Sequence, residues 1–266
     1  MTDATRSVPR TSWREGVTRS DSDTIVVEAP VALVYNGISH VVMMATPADL
    51  EDLALGFSLS EGIIEAPGQL LDCEMQPRDK GLELQMTITN QRFAALKQRR
   101  RNLTGRTGCG LCGLESLEQA MPVLDPVHGD YSMKHSAIQK AAAALGGVQS
   151  LKQDTGGVHG AIWCNTRGDI ELVREDVGRH NALDKLLGAM QQGDHSAEGC
   201  LLVTSRASYE MVAKVASCGF PILAAVSAPT SLAVQQAEDC GLTLLGFVQP
   251  GRQVIYTHPQ RIIEDI

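Results

Sequence analysis

The chain has 266 residues, 43% of them apolar and 20% charged, with a formal net charge of −8. That balance excludes an intrinsically disordered chain, which needs low hydrophobicity with high net charge, and a general nucleic-acid binder, which needs a dense positive field at the phosphates. No run reaches about 18 consecutive apolar residues, and the polar start Met1-Thr2-Asp3 lacks a secretory core, so a cytoplasmic protein with no membrane segment is expected.

The length admits two lobes with cores of their own, expected at 21–125 and 126–266 behind a flexible tail at 1–20. Thr24 to Thr46 alternates around Asn36-Gly37, a strong hairpin signal. Thr46 then offers an N-cap, Pro47 a first helical position, and Leu50, Leu53, Ala54 and Phe57 one apolar helical face, ending near Glu61-Gly62. Leu82 to Thr89 reads as a strand. A basic run, Lys97 to Arg106, leads as a loop into Cys109-Gly110-Leu111-Cys112 and a short helix from about Leu114 to Ala120.

Asp125 to Asp130 is turn-rich and marks the lobe boundary. A helix from Met133 to Leu145 follows, capped by Gly146-Gly147, then a strand pair, Ala161 to Asn165 and Asp169 to Arg174, and an amphipathic helix after Gly178. From Cys200 the rhythm is βαβαβ: strands at 200–204, 221–227 and 242–248, helices at 208–218 and 229–240. This predicts a parallel sheet covered on both faces, with ligands outside the carboxyl ends of its strands, near Thr204-Ser205-Arg206, Ser227 to Thr230 and Gln249 to Arg252.

Seven cysteines make an odd count, and Cys73, Cys164, Cys200, Cys218 and Cys240 stand singly, the usage of a reducing compartment. Cys109 and Cys112 differ. Arg and Lys nearby lower a thiol pKa from about 8.5 toward roughly 3.5 to 7.5, and the thiolate is the nucleophile. Local chemistry leaves three readings open: sulfur transfer through a persulfide, dithiol–disulfide exchange, and half of a zinc site. Zinc wants four ligands, and with no second CxxC only His128 and His135 offer themselves as recruits. A zinc deaminase needs His-x-Glu before Pro-Cys-x-x-Cys; no histidine here has Glu two residues on, and no proline precedes Cys109. Thr155-Gly156-Gly157-Val158-His159 could cradle a phosphate or simply turn the chain. The dense charge from Arg174 to Asn181 reads equally as a helix entry or a site, while Asp184 and Lys185 read as solvated.

Taken together these segments resemble the FdhD family, sulfur carriers required for formate dehydrogenase activity. The resemblance is carried by Glu28-Ala29-Pro30-Val31, Asn36-Gly37, Thr46 to Phe57, Glu61-Gly62, Cys109 to Cys112, Thr155 to His159, Arg174 to Lys185, Ser205-Arg206, Glu210, Lys214, Ser227 to Thr230 and Gly246-Phe247. It implies a cytidine-deaminase-like α/β/α C-terminal lobe without deaminase chemistry, a smaller α+β N-terminal lobe, and a homodimer. It implies a sulfurtransferase of the persulfide-carrier type: a cysteine desulfurase loads sulfur onto the CxxC, and the carrier passes it to the molybdenum cofactor before that cofactor enters formate dehydrogenase. Cys109 then bears the persulfide with Cys112 as partner thiol. The bound substrate is molybdopterin guanine dinucleotide (bis-MGD), with no tightly bound metal of the protein's own. Its expected contacts are Phe247, Val248, Gln249, Pro250, Gly251 and Arg252, with His159, Ser227 and Thr230. Where the family pattern puts a basic residue soon after Gly-Phe, this chain interposes Val248 to Gly251 before Arg252. The competing class is a cofactor-binding chaperone whose CxxC is structural or holds zinc.

Overall fold

The computed structural model describes residues 3–104, 124–193 and 195–265, and for 100–104 the backbone alone. Its first feature corrects the flexible tail. Thr5–Arg14 (β1) and Val17–Val26 (β2) pair as an antiparallel hairpin along their whole length. Glu15 and Gly16 turn it with both φ angles positive, 50° and 84°, as a type I′ turn requires. The hairpin is held by polar cross-strand pairs, Arg10 lying 2.8 Å from both Asp21 and Asp23. It lacks the apolar alternation by which a strand announces itself.

The predicted Asn36-Gly37 hairpin is present as Ala29–Tyr35 (β3) and Ile38–Ala45 (β4), again with both turn residues at positive φ. Leu70–Arg78 (β5) and Gly81–Ile88 (β6) complete a four-stranded sheet in the order β4-β3-β6-β5, with β3 and β6 parallel. Leu50–Ser60 (α1) and Asn90–Thr104 (α2) cover one face, where Val31, Leu33, Leu82 and Leu84 pack with Leu53 and Leu96. Two expectations change here. The basic stretch is helical as far as Thr104 rather than a loop. Thr46 does not cap α1; Asp49 precedes it in a left-handed conformation without a side-chain cap bond. Thr46 is instead spent on the other lobe. Its N–H donates to Asp176 Oδ2 (2.9 Å), its Oγ1 accepts from the Val177 N–H (3.2 Å), and its carbonyl accepts from Lys185 Nζ (2.9 Å).

The second lobe begins with Met133–Lys134 (β7), paired with the late strand Ile262–Ile263 (β14). His135–Val148 (α3) runs through Gly146 and Gly147 rather than stopping at them, and Ser150–Thr155 (α4) follows. His159–Asn165 (β8), Ile170–Asp176 (β9), Gly199–Val203 (β10), Ile222–Ala225 (β11), Thr243–Gln249 (β12) and Arg252–Ile255 (β13) form one sheet, ordered β13-β12-β11-β10-β8-β9. As predicted, β10, β11 and β12 are parallel. The βαβ links Tyr209–Ser217 (α6) and Ser231–Asp239 (α7) lie with Arg179–Ala189 (α5) on one face, because right-handed crossovers stepping in one direction put their helices on one side. Trp163, Leu201 and Leu223 point to that face; Ile162, Leu202 and Ala224 point to the other, covered by α3. The lobe is a three-layer α/β/α unit, and the chain as a whole is mixed α/β.

The lobes meet where α1 crosses α5, and two glycines set the approach. A Cβ on Gly56 would lie 1.7 Å from the Asp184 carbonyl oxygen, and one on Gly188 2.0 Å from that of Asp52. No side chain fits at either place. Among the described residues no helix is long and apolar enough to cross a membrane.

Candidate functional site at the cleft between the lobes

Every residue of α5 from Asn181 to Ala189 is buried, since the helix is sandwiched between its own sheet and α1. Polar groups on it must therefore find partners within the protein. Lys185 and Asp176 lie 2.7 Å apart, both side chains fully buried. Asp176 also accepts from the Gly178 N–H (2.8 Å), from Asn181 Nδ2 (3.0 Å) and from the Thr46 N–H (2.9 Å). This corrects the reading of Lys185 as solvated. Much of the Arg174–Asn181 block is lobe adhesive: Arg174 Nε donates to Asp52 (2.7 Å) and Asn181 Nδ2 to the Met44 carbonyl (2.8 Å).

One turn along, Asp184 faces the cleft between the lobes. Lys214 of α6 reaches both its carboxylate oxygens (3.0 and 3.1 Å), as well as Ser60 Oγ (2.9 Å) and Glu61 Oε1 (2.8 Å), and Ser60 donates to Asp184 (2.7 Å). Burial pushes the Asp184 pKa up, against the pull of Lys214. Burial also opposes the Lys214 charge, but Asp184 and Glu61 outweigh it, and the Lys214 pKa stands above its usual value. Glu61 is likewise opposed by burial and held below the usual carboxylate range by Lys214, then Arg99 and His40. The cluster is a paired, charged seam.

In front of that seam lies a cleft of about 870 Å³. Its wall includes His180 from the start of α5 and Glu210 from the start of α6. His180 Nε2 lies 2.9 Å from Glu210 Oε2, at ion-pair distance but out of line for a hydrogen bond, and is shielded from solvent. Burial lowers the His180 pKa, with Glu210 acting against it. Arg99 of α2 also lines the cleft, its Nη1 donating to the Glu61 carbonyl (2.9 Å), and so do Leu124 and Asp125. The described residues that flank the segment bearing Cys109 and Cys112 thus both reach this cleft, Arg99 before it and Leu124 and Asp125 after it. Both cysteines, and the short helix expected at 114–120, lie outside the described residues.

Of the five described cysteines, Cys164 is buried, and the other four hold their thiol protons more tightly than usual. Burial pushes Cys73 up to about 11 and Cys218, on the cleft wall, up to about 12. Cys240 is raised by burial, and Cys200 lies well above its usual value through its neighbour Cys164 and burial.

The expected cofactor residues fall at the carboxyl edge of the large sheet, where α5 and α6 also begin. Phe247, at φ 52°, donates its N–H to the Ser227 carbonyl (3.1 Å), and the Arg252 guanidinium stacks on its ring at 4.8 Å. A Cβ on Gly246 would meet Pro229 at 2.8 Å, so glycine is required there. Gln249, Pro250 and Gly251 form the exposed turn into β13, with the Gly251 N–H donating to Gln139 (2.7 Å). Two expected residues are otherwise engaged. Val248 is fully buried in the core beneath α3, because the irregular register between Gly246 and Gln249 turns it inward. Thr230 Oγ1 accepts from the Ala233 N–H as the N-cap of α7. His159 sits at the start of β8 on the same edge, adjoining the end of β10 through the Gly160–Thr204 bonds. It is three strand spacings from β12, about 14 Å, so it shares an edge with Phe247 and Arg252 rather than a contact. Burial, then Lys152 and Arg179, lower its pKa.

Sequence reasoning passed over His180, Glu210 with Lys214, Ser60 and Asp184 as one cluster. The available signal was a helix with adjacent charged residues, Asp184 and Lys185, between apolar positions 183, 186 and 187. No single polar face accommodates that arrangement.

Residues 26–263 match the family model described as the FdhD/NarQ family. A curated relative from Cupriavidus necator, "Sulfur carrier protein FdhD", is 55% identical over 251 residues, covering 94% of this chain and 87% of its own. A crystal structure from Desulfotalea psychrophila, described provisionally as a formate dehydrogenase accessory protein, superposes with a TM-score of 0.75 at 25% identity, covering 98% of this chain and all of that one.

Proposed function

This chain belongs to the FdhD/NarQ family, and on that premise we propose that it is a sulfur carrier for formate dehydrogenase maturation that works through Cys109 and Cys112. A cysteine desulfurase presents a persulfide; the Cys109 thiolate attacks its terminal sulfur, a new S–S bond forms, and the donor sulfur leaves as thiolate. No net oxidation is involved. For delivery, the Cys112 thiolate attacks the inner sulfur of the Cys109 persulfide, so the terminal sulfur departs as hydrosulfide and the pair closes to a disulfide. The second thiol thus supplies the two electrons that bring the transferred atom to the sulfide level required of a metal ligand. A cellular dithiol then reopens the pair.

The observation that supports this reading is that Arg99, from the helix before the CxxC segment, and Leu124 and Asp125, the first described residues after it, line one cleft between the lobes. The raised thiol pKa values of Cys73, Cys200, Cys218 and Cys240 agree with it, since a thiol far above neutrality holds its proton. The sulfur acceptor in this reading is the molybdenum cofactor as bis-MGD, a substrate rather than a resident group. It docks on the sheet edge, where Arg252 fixed over Phe247 offers a cation to a phosphate. The exposed turn Gln249, Pro250 and Gly251 and the half-buried Ser227 adjoin it, and His159 offers a further ring along the edge. Val248 and the Thr230 side chain take no part. The carrier acts in the cytoplasm as a homodimer.

The test is loading. Incubated with a cysteine desulfurase and L-cysteine, the protein should gain one sulfur on the peptide bearing Cys109, read by mass spectrometry under non-reducing conditions. Absence of that adduct with an active desulfurase overturns the mechanism.

A further inference from the structure

We propose that His180, with Nε2 turned to Glu210, is the residue that takes protons from and returns them to sulfur nucleophiles brought into the cleft between the lobes. The inference rests on the sulfur-carrier reading and deepens it.

Sulfur exchange needs a base, since each incoming thiol must shed a proton and each outgoing sulfur gains one. The cleft holds several ionisable groups, and geometry removes most of them. Lys214 is caged by Asp184, Ser60 and Glu61 at 2.8 to 3.1 Å and keeps its proton, its pKa standing above the usual value. Asp184 is filled by donors from Ser60 and Lys214. Glu61 is held charged by Lys214. His180 alone among these is an imidazole, the side chain whose unperturbed pKa lies nearest neutrality, and burial holds it below that value so that the neutral base is favoured.

Its setting suits a base. Two helices packed on one sheet, α5 and α6, fix His180 and Glu210 at 2.9 Å. Nε2, 2.9 Å from the carboxylate and closed to solvent, is the ring nitrogen where a proton is favoured over a lone pair beside a negative charge, which leaves the Nδ1 lone pair to act as the base. The charges facing the ring are Glu210 and Lys214 from α6 and Arg179 and Asp184 from α5; Glu61 from the end of α1, Arg99 from α2 and Asp125 share the cleft. Burial with Lys214 and Arg179 keeps the ring neutral at pH 7, while Glu210 steadies the imidazolium once it forms.

The step balances without a redox partner. A thiol S–H bond breaks, its proton passes to Nδ1, and the thiolate attacks the terminal sulfur of a donor persulfide. As the donor S–S bond breaks, the departing sulfur takes the proton back from the imidazolium. Glu210 acts on the proton only through His180 and is a positioning residue.

The experiment measures the initial rate of sulfur loading from a cysteine desulfurase between pH 5.5 and 9 for the full-length wild type, H180Q and E210Q, with desulfurase turnover followed separately as alanine release. The wild type should show an inflection from His180. H180Q should lose that inflection and load ~100-fold more slowly at pH 7, the scale of an absent general base. E210Q should keep the inflection but move it to lower pH, because the carboxylate that raises the His180 pKa is gone. A purely structural role for Glu210 would lower the rate without moving the inflection. Should H180Q fail to fold, the E210Q shift decides, together with the His180 ring titration followed by NMR in both proteins. Superimposable profiles for wild type and H180Q, or an unmoved inflection and ring pKa in E210Q, overturn this inference alone. No loading of the wild type overturns the carrier reading and this inference with it.

Discussion

Lys185 carries a charge into a site with no water contact, held by Asp176 at 2.7 Å and by the Thr46 carbonyl. Breaking such a pair leaves a buried charge without compensation, which costs about 3 to 5 kcal/mol. Lys185→Met should therefore lower the unfolding free energy by that amount in a denaturant titration. Converting Asp176 to Asn in the same chain should recover part of the loss, because the stranded carboxylate is removed. A loss below about 1 kcal/mol in the single variant would show that the pair is dispensable. The sequence already displayed Lys185 and Asp176, nine residues apart in one block. Their shared burial was not legible there, because it depends on α1 covering the outer side of α5, and α1 comes from a segment more than a hundred residues away.

The crossing of α1 and α5 depends on what is missing from two positions. Gly56→Ala puts a methyl group 1.7 Å from a backbone oxygen, where no side-chain rotation relieves it, so the helices must move apart. The loss should exceed the ~1–3 kcal/mol of ordinary overpacking and should open the cleft, since Ser60 and Glu61 ride on the end of α1. Gly146 in α3 is the control. A Cβ there meets nothing within 4 Å, so Gly146→Ala should stabilise by about 0.5–1 kcal/mol. Equal effects at the two positions would refute the packing argument. At this scale the sequence was legible wherever an element carries its own signal. The parallel strands and their helices, the Asn36-Gly37 turn and the start of α5 were all visible. It failed where partners supply the order: β1 and β2 pair through polar side chains, and Thr46 serves the other lobe instead of its own helix.

For the whole molecule, the groups with lowered histidine pKa values set the response to acid. His159 and His180 both bind protons less readily folded than unfolded, through burial first. Between their folded values and about 6.5 the unfolded chain holds the extra protons, so stability is full above that range and falls as pH drops through it. The melting temperature should decline from pH 7 toward pH 5 before most carboxylates titrate. The combined H159Q and H180Q variant should show a shallower decline over that interval. Below it, Glu61 continues the trend: its lowered pKa contributes stability above the usual carboxylate range that is lost as it protonates beside Lys214. An unchanged slope in the double variant would assign the acid response to other groups.

The CxxC motif with the basic residues before it, the βαβαβ run and the distributed family motifs are properties of the amino-acid order, and by themselves they determined the fold class, the family and the chemistry to look for. Local propensity and apolar periodicity act over a few residues, which is why the sequence displays them directly. Only the tertiary structure decided where that chemistry is housed. Whether a charge is solvated or buried, and whether His180 meets Glu210 or Lys214 meets Asp184, depends on contacts between segments far apart in the chain. The close approach permitted by Gly56 and Gly188 brings those segments together.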